Sequence, residues 1–225
     1  MKNKRILLTG SDGSLGAALR ERFELEGAVV VGLSKGISNK AEIERQMQSL
    51  AESPVDYIIL NDGHNRLSWI GTTPESDQKI ISVNVLAPYW VLNAAVALQP
   101  SHPAVVLFIG SQTYRIAQRT TSLYCASKAA ATMLMKVAAR ELAPKGWRVN
   151  LLAPGKIYDT MMSEMTDAQV NLLRGWTQDQ ADHYAKNLIP AGRVTTKSEV
   201  VDGVMWALRS PEYVNGAALD FMGGV

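Results

Sequence analysis

Short aliphatic, β-branched runs recur along this chain with helix-patterned segments between them. This alternation limits the folds open to it more than any other feature. Residues 6–8, 28–31, 57–60, 105–109, 149–152 and 218–221 are near-continuously apolar, as strands covered on both faces must be. Between them, Leu15, Ala18, Leu19 and Phe23 form one stripe at helical spacing, and residues 38–51, 85–98, 122–143 and 198–208 read as further helices. Strand and helix repeated in this way imply an α/β chain with a parallel sheet and right-handed crossovers. The 225 residues contain no Pro/Gly/Ser-rich linker and no fixed-period repeat, so residues 1–225 are expected to form a single domain. The rhythm breaks at 156–197, where Met161, Met162, Met165, Trp176 and Tyr184 lie among polar residues. A long insertion beyond a parallel strand's carboxyl end sits where such sheets bind ligands. This stretch is expected to be a substrate lid, the plainer alternative being a surface helical pair.

Composition removes several classes of function. Twenty-three basic and 21 acidic residues leave a formal charge of +2, too little for a nucleic-acid or anionic-membrane field. Aromatic residues at 7% are too sparse for base stacking. Cys125 is the single cysteine, and His64, His102 and His183 lie far apart, so neither a disulfide nor a metal site is expected. The apolar stretch after Met1-Lys2-Asn3-Lys4-Arg5 is too short for a signal peptide or membrane span. A cytoplasmic protein is expected, with no nucleic-acid or membrane partner.

Thr9-Gly10-Ser11-Asp12-Gly13-Ser14-Leu15-Gly16 joins the first strand to the first helix. Glycines there permit a tight turn and close approach to a pyrophosphate, which the helix N-terminus attracts with free N–H groups and its dipole. After the second strand an acid would bind the adenosine ribose 2′-hydroxyl, whereas a basic residue would accept a 2′-phosphate. Ser34 and Lys35 stand there and favour NADP, with NAD the alternative. Asp12 argues mildly the other way, and the turn contributes no basic residue.

Tyr124 and Lys128 are four residues apart near the start of an Ala-rich helix and so share a face. A free tyrosine pKa of about 10 is too high for efficient proton transfer near neutrality. An ammonium one turn away is expected to lower it. Ser111 follows the run 105–109, which would bring its hydroxyl to the carboxyl edge of the sheet. Such a set suits proton exchange with a carbonyl or alcohol oxygen.

These residues resemble the short-chain dehydrogenases/reductases over nearly the whole chain. The family's glycine turn corresponds to Thr9–Gly16, its Asn-Asn-Ala-Gly motif to Leu60-Asn61-Asp62-Gly63, and its catalytic tetrad to Asn84, Ser111, Tyr124 and Lys128. Its Asn…Pro-Gly segment falls on Asn150 and Pro154-Gly155, with further matches at Gly192-Arg193-Val194, Asn215-Gly216 and Gly223-Gly224. The resemblance implies a Rossmann-type doubly wound sheet and hydride transfer between NADP(H) and a small carbonyl or alcohol substrate. It implies cofactor contacts at Gly10, Ser11, Asp12, Gly13, Ser14, Leu15, Gly16, Ser34, Lys35, Asn61, Asp62, Gly63, Tyr124, Lys128, Pro154, Gly155, Ile157 and Thr160. Lys128 would grip the nicotinamide ribose, and Asn84 would hold a water linking Lys128 to solvent. The helices at 85–98 and 122–143 resemble the family's dimer interface, so a homodimer or homotetramer is expected.

The departures are as informative. Ser14 replaces the second turn glycine, giving the Gly10-x-x-Gly13-x-x-Gly16 spacing of nucleotide-sugar-modifying relatives, and Asp62 replaces a small alanine. Asp159 stands where the family carries a threonine, one residue before Thr160, and Met222 replaces an aspartate. The helix and third strand that usually follow the second strand are missing, with Gly36-Ile37 in place of the residues lining the adenine pocket. A six-stranded sheet is expected, its usual third edge strand and crossover helix absent or vestigial, with a more exposed adenine end and weaker cofactor binding. Two rival functions remain, a non-catalytic dinucleotide-sensing regulator and a nucleotide-sugar-modifying enzyme.

Overall fold

The computed structural model describes residues 1–33, 38–72 and 77–225. Six strands form one all-parallel sheet in the order β2-β1-β3-β4-β5-β6. They are β1 (Arg5–Thr9), β2 (Val29–Leu33), β3 (Tyr57–Leu60), β4 (Val105–Ile109), β5 (Arg148–Pro154) and β6 (Ala218–Phe221). The helices are α1 (Ser14–Leu25), α2 (Lys40–Met47), α3 (Asp77–Ile81), α4 (Ala87–Leu98), α5 (Ser122–Leu142), α6 (Met161–Arg174), α7 (Gln178–Asn187) and α8 (Lys197–Leu208).

The apolar runs become strands because both faces of the sheet are covered. Ile6, Leu7, Leu8, Ile58, Ile59 and Val106 are completely buried. On one face α2, α4 and α5 supply Ile43, Met47, Val91, Ala95, Ala131 and Met135. On the other α1 and α8 supply Leu19, Phe23, Val200 and Val204. The run Asp77–Leu98 is long and apolar enough to cross a membrane, yet α4 within it buries Val91, Leu92 and Ala95 in the core.

The chain runs from β1 out to β2 and then returns to β3 on the far side of β1. That reversal opens a crevice at the carboxyl ends of β1 and β3, the usual ligand position in open parallel sheets. Among the described residues no strand lies outside β2, as the shortened sequence implies, and α2 follows soon after. The stretch 156–197 folds mainly as the helices α6 and α7, each opened by a capping box, Thr160 with Ser163 and Thr177 with Gln180.

Candidate active site

The glycine turn closes against the end of β2. Gly10 N–H donates to the Leu33 carbonyl at 2.7 Å, and Gly13 N–H donates to the Gly10 carbonyl at 3.0 Å. Gly10 has φ +63°, and a β-carbon on Gly16 would fall 1.9 Å from the Gly10 oxygen. Both positions therefore require glycine. Gly13 caps α1 without a side chain, so the first N–H groups of the helix face the crevice. Leu15 is buried in the core beneath the turn. Buried Ser11 donates to Asp12 Oδ1 at 3.2 Å. Ser14 donates to the Asp159 carbonyl at 3.5 Å and accepts from Lys197 Nζ at 3.3 Å, while Lys197 also pairs with Asp159 Oδ2 at 3.4 Å. The exceptional residues Ser14 and Asp159 thus meet at one lysine. Ser34, Lys35, Gly36 and Ile37 lie outside the described residues.

Asn61, Asp62 and Gly63 follow β3 on the opposite wall. Asn61 Nδ2 donates to the carbonyls of Thr9 and Gly10 at 3.2 and 3.3 Å, and Asp62 N–H donates to Thr9 Oγ1 at 3.1 Å. Asp62 Oδ2 is buried with no hydrogen-bond partner. The residue borders a cavity of about 10 Å³ between Thr9, Leu60, Pro88 and Phe108. Burial lifts the Asp62 pKa to about 6, against the stabilising pull of Thr9 and of the Lys128 charge. A β-carbon on Gly63 would lie 3.8 Å from Lys128 Nζ and 3.3 Å from the Met162 methyl. A side chain here would press on the lysine and on α6, which reaches the edge of the site through Met162.

Ser111, Tyr124, Lys128 and Asn84 converge at the inner end of this crevice. Ser111 leaves the end of β4 as the N-cap of a short 3-10 turn, its Oγ accepting from the Thr113 hydroxyl at 3.0 Å. Tyr124 and Lys128 are buried on the same face of α5, with Lys128 Nζ 5.8 Å from the Tyr124 ring centre. The lysine donates to the Ile109 carbonyl at 3.1 Å and lies over the Phe108 ring. Burial lowers its pKa to about 8, partly opposed by Asp62.

One expectation changes here. Lys128 does not bring the Tyr124 pKa down; burial pushes it up to about 12, with only a hydrogen bond to Ser111 acting the other way. Desolvation outweighs a cation that is itself turned towards a carbonyl. Asn84 sits on a π-helical turn, Ser82–Leu86, a distortion common at functional sites. Its side chain clamps the His64 peptide, accepting from His64 N–H and donating to the His64 carbonyl, each at 2.8 Å, and it donates to Ser127 Oγ at 2.9 Å. Asn84 therefore braces the loop after Gly63 and the helix carrying Tyr124 and Lys128.

Pro154 ends β5, and Gly155 N–H donates to the Phe221 carbonyl at 3.0 Å. Ile157 bridges to Thr195 and packs on the α1–α8 core. Thr160 is buried and serves as the α6 cap, its Oγ1 accepting from Ser163 N–H at 3.1 Å. Sequence alone gives Met162 only as one of the lid's methionines and does not point to Gln169, Arg174 or Lys197. Gln169 accepts from Leu67 N–H at 2.8 Å, and Arg174 donates to the Arg119 carbonyl at 3.0 Å. These contacts tie α6 to both loops flanking the crevice. Among the described residues no cluster of metal-ligating side chains occurs.

This arrangement fits a dinucleotide. Gly10, Gly13 and Gly63 keep the crevice floor bare, and a phenol, a hydroxyl and a lysine meet at its inner end. A family model described as "Enoyl-(Acyl carrier protein) reductase" matches residues 5–225. The chain belongs to the short-chain dehydrogenase/reductase family and is an NAD(P)-dependent oxidoreductase. It is 25% identical to the uncharacterized oxidoreductase YmfI of Bacillus subtilis, over 99% of this chain and 98% of that one. It is also 25% identical to the 3-oxoacyl-[acyl-carrier-protein] reductase FabG of Vibrio cholerae, over 100% and 98% of the two chains. The crystal structure of a short chain dehydrogenase family protein from Francisella tularensis superposes with a TM-score of 0.88 at 21% identity, covering 98% of each chain.

Proposed function

We propose that this protein is a cytoplasmic, NADP(H)-dependent reductase of a small carbonyl substrate, with the reverse alcohol oxidation at higher pH. The convergence of Tyr124, Ser111 and Lys128 beside the bare Gly63 carries this reading. The bound nicotinamide supplies the hydride. Tyr124, held as a phenol with a pKa near 12, is protonated throughout the physiological range. It gives its proton to the oxygen of the carbonyl as negative charge develops there. Ser111 donates a preorganised hydrogen bond to the same oxygen. Lys128, with a pKa near 8, is mostly charged at neutral pH and would hold the nicotinamide ribose beside the phenol. Asn84 holds the elements that carry these groups in register.

The helices α6 and α7 act as the substrate lid, latched through Gln169 and Arg174. Met161, Met162 and Met165 are exposed on α6 and supply an adaptable apolar lining. Exposed Tyr89 on α4 and Met133 and Val137 on α5 support self-association as a homodimer or homotetramer.

The test is NADPH consumption against a panel of ketones, sugars and acyl thioesters, with Tyr124→Phe beside the native protein. Loss of the general acid lowers kcat by about 100- to 10,000-fold, while the dissociation constant for NADPH is retained. Native-like turnover in that variant refutes the assignment.

A further inference from the structure

Arg20 lies half-buried on the second turn of α1. Most partly buried arginines here are matched with acceptors. Arg22 pairs with Glu26 and Asp202, Arg148 donates to Ser210 and the carbonyls of Leu208, Pro211 and Val214, and Arg174 donates to the Arg119 carbonyl. Arg20 makes neither an ion pair nor a hydrogen bond among the described residues. Withholding a guanidinium from part of its water without an anionic partner is unfavourable.

Its surroundings indicate which anion would correct this. A β-carbon on Gly32 of β2 would lie 2.2 Å from Arg20 Nη2 and 2.5 Å from Ser11 Oγ. The guanidinium and a buried hydroxyl therefore sit together over a bare stretch of backbone that any other residue would obstruct. Gly32 pairs with Leu8, and its neighbour Leu33 accepts from the Gly10 N–H. Arg20 is thus held between the carboxyl end of β2 and the glycine turn, and helical side chains lean towards the helix N-terminus. In open parallel sheets the adenosine ribose of a dinucleotide lies over this junction. A guanidinium fork matches a phosphate monoester through two parallel N–H···O bonds, which a ribose hydroxyl cannot accept in the same way. The nearby carboxylate is Asp12, exposed on the turn and hydrogen-bonded by Ser11.

We propose that Arg20 binds the 2′-phosphate of NADP(H), reaching it from α1, and so sets the preference for NADP(H) over NAD(H). This rests on the dinucleotide reading above. The test is equilibrium titration of native protein, Arg20→Lys and Arg20→Met with NADPH and NADH, followed by cofactor fluorescence. Competition by 2′-AMP and 5′-AMP is measured alongside, and thermal melts confirm folding. Loss of a charge-assisted bidentate contact lowers NADPH affinity about 10- to 100-fold and leaves NADH affinity within about twofold. Competition by 2′-AMP weakens in Arg20→Met while that by 5′-AMP does not, and Arg20→Lys falls between native and Met. Unchanged NADPH affinity in Arg20→Met, an equal loss for both cofactors, or a native preference for NADH overturns the assignment. A native protein that binds neither dinucleotide overturns the functional reading itself.

Discussion

Asp62 carries a stability cost that should be measurable by removing its charge. Its carboxyl oxygen Oδ2 is buried without a partner, and its pKa rises from 3.8 to about 6 on folding. Each pH unit of such displacement corresponds to about 1.4 kcal/mol, so the folded state is penalised by about 3 kcal/mol at pH 7. Because the folded pKa is the higher one, the folded protein binds the proton more tightly. The penalty is absent below pH 3.8, grows as pH rises, and is complete above pH 6. Asp62→Asn keeps the shape and removes the charge. The pull of Lys128 is already contained in that displacement, so the gain is about 3 kcal/mol. For a chain of this size that raises Tm by roughly 6–12 °C at pH 7. Circular-dichroism melts of both proteins at pH 4, 5.5 and 7 test this, and the gain should shrink towards zero at pH 4. A variant less stable at pH 7, or a gain independent of pH, would refute the reasoning.

Gly16→Ala drives a β-carbon into the Gly10 carbonyl oxygen; the backbone must shift, costing about 1–3 kcal/mol, and titration should show dinucleotide binding largely lost. Gln169→Ala removes the acceptor for Leu67 N–H, costing about 1 kcal/mol and loosening α6, so steady-state kinetics should show a raised KM with NADPH affinity unchanged. Lys197→Ala breaks contacts to Ser14 and Asp159 that are partly exposed, and thermal melts should move by less than about 1 kcal/mol.

Much of the fold is legible in the chain because buried parallel strands are written as unbroken apolar runs. All six runs are strands, and the short passage after β2 does leave that strand at the sheet's edge. Boundaries are less legible. The second strand extends through Gly32 and Leu33 because tertiary pairing with Leu8 and Thr9 overrides a weak local preference. The helix expected over 85–98 begins as α4 only at Ala87, behind a π-helical turn that exists to place Asn84 and leaves no periodic trace. Tyr124 and Lys128 can be paired from spacing alone, whereas the height of the tyrosine pKa depends on burial by distant elements. The meeting of Ser14, Asp159 and Lys197 joins the first helix to residues 145 and 183 positions further along, and no local pattern announces it.

Among the described residues strand β2 has a neighbour on one side only, and Val29 on it is 51% exposed. Its outward amides are bonded by no further strand among those residues, so hydrogen exchange should open the sheet from this margin inwards. The same strand underlies Arg20 and anchors the glycine turn. A docked nucleotide would therefore serve as the missing buttress, tying cofactor occupancy to the integrity of the sheet's weakest border.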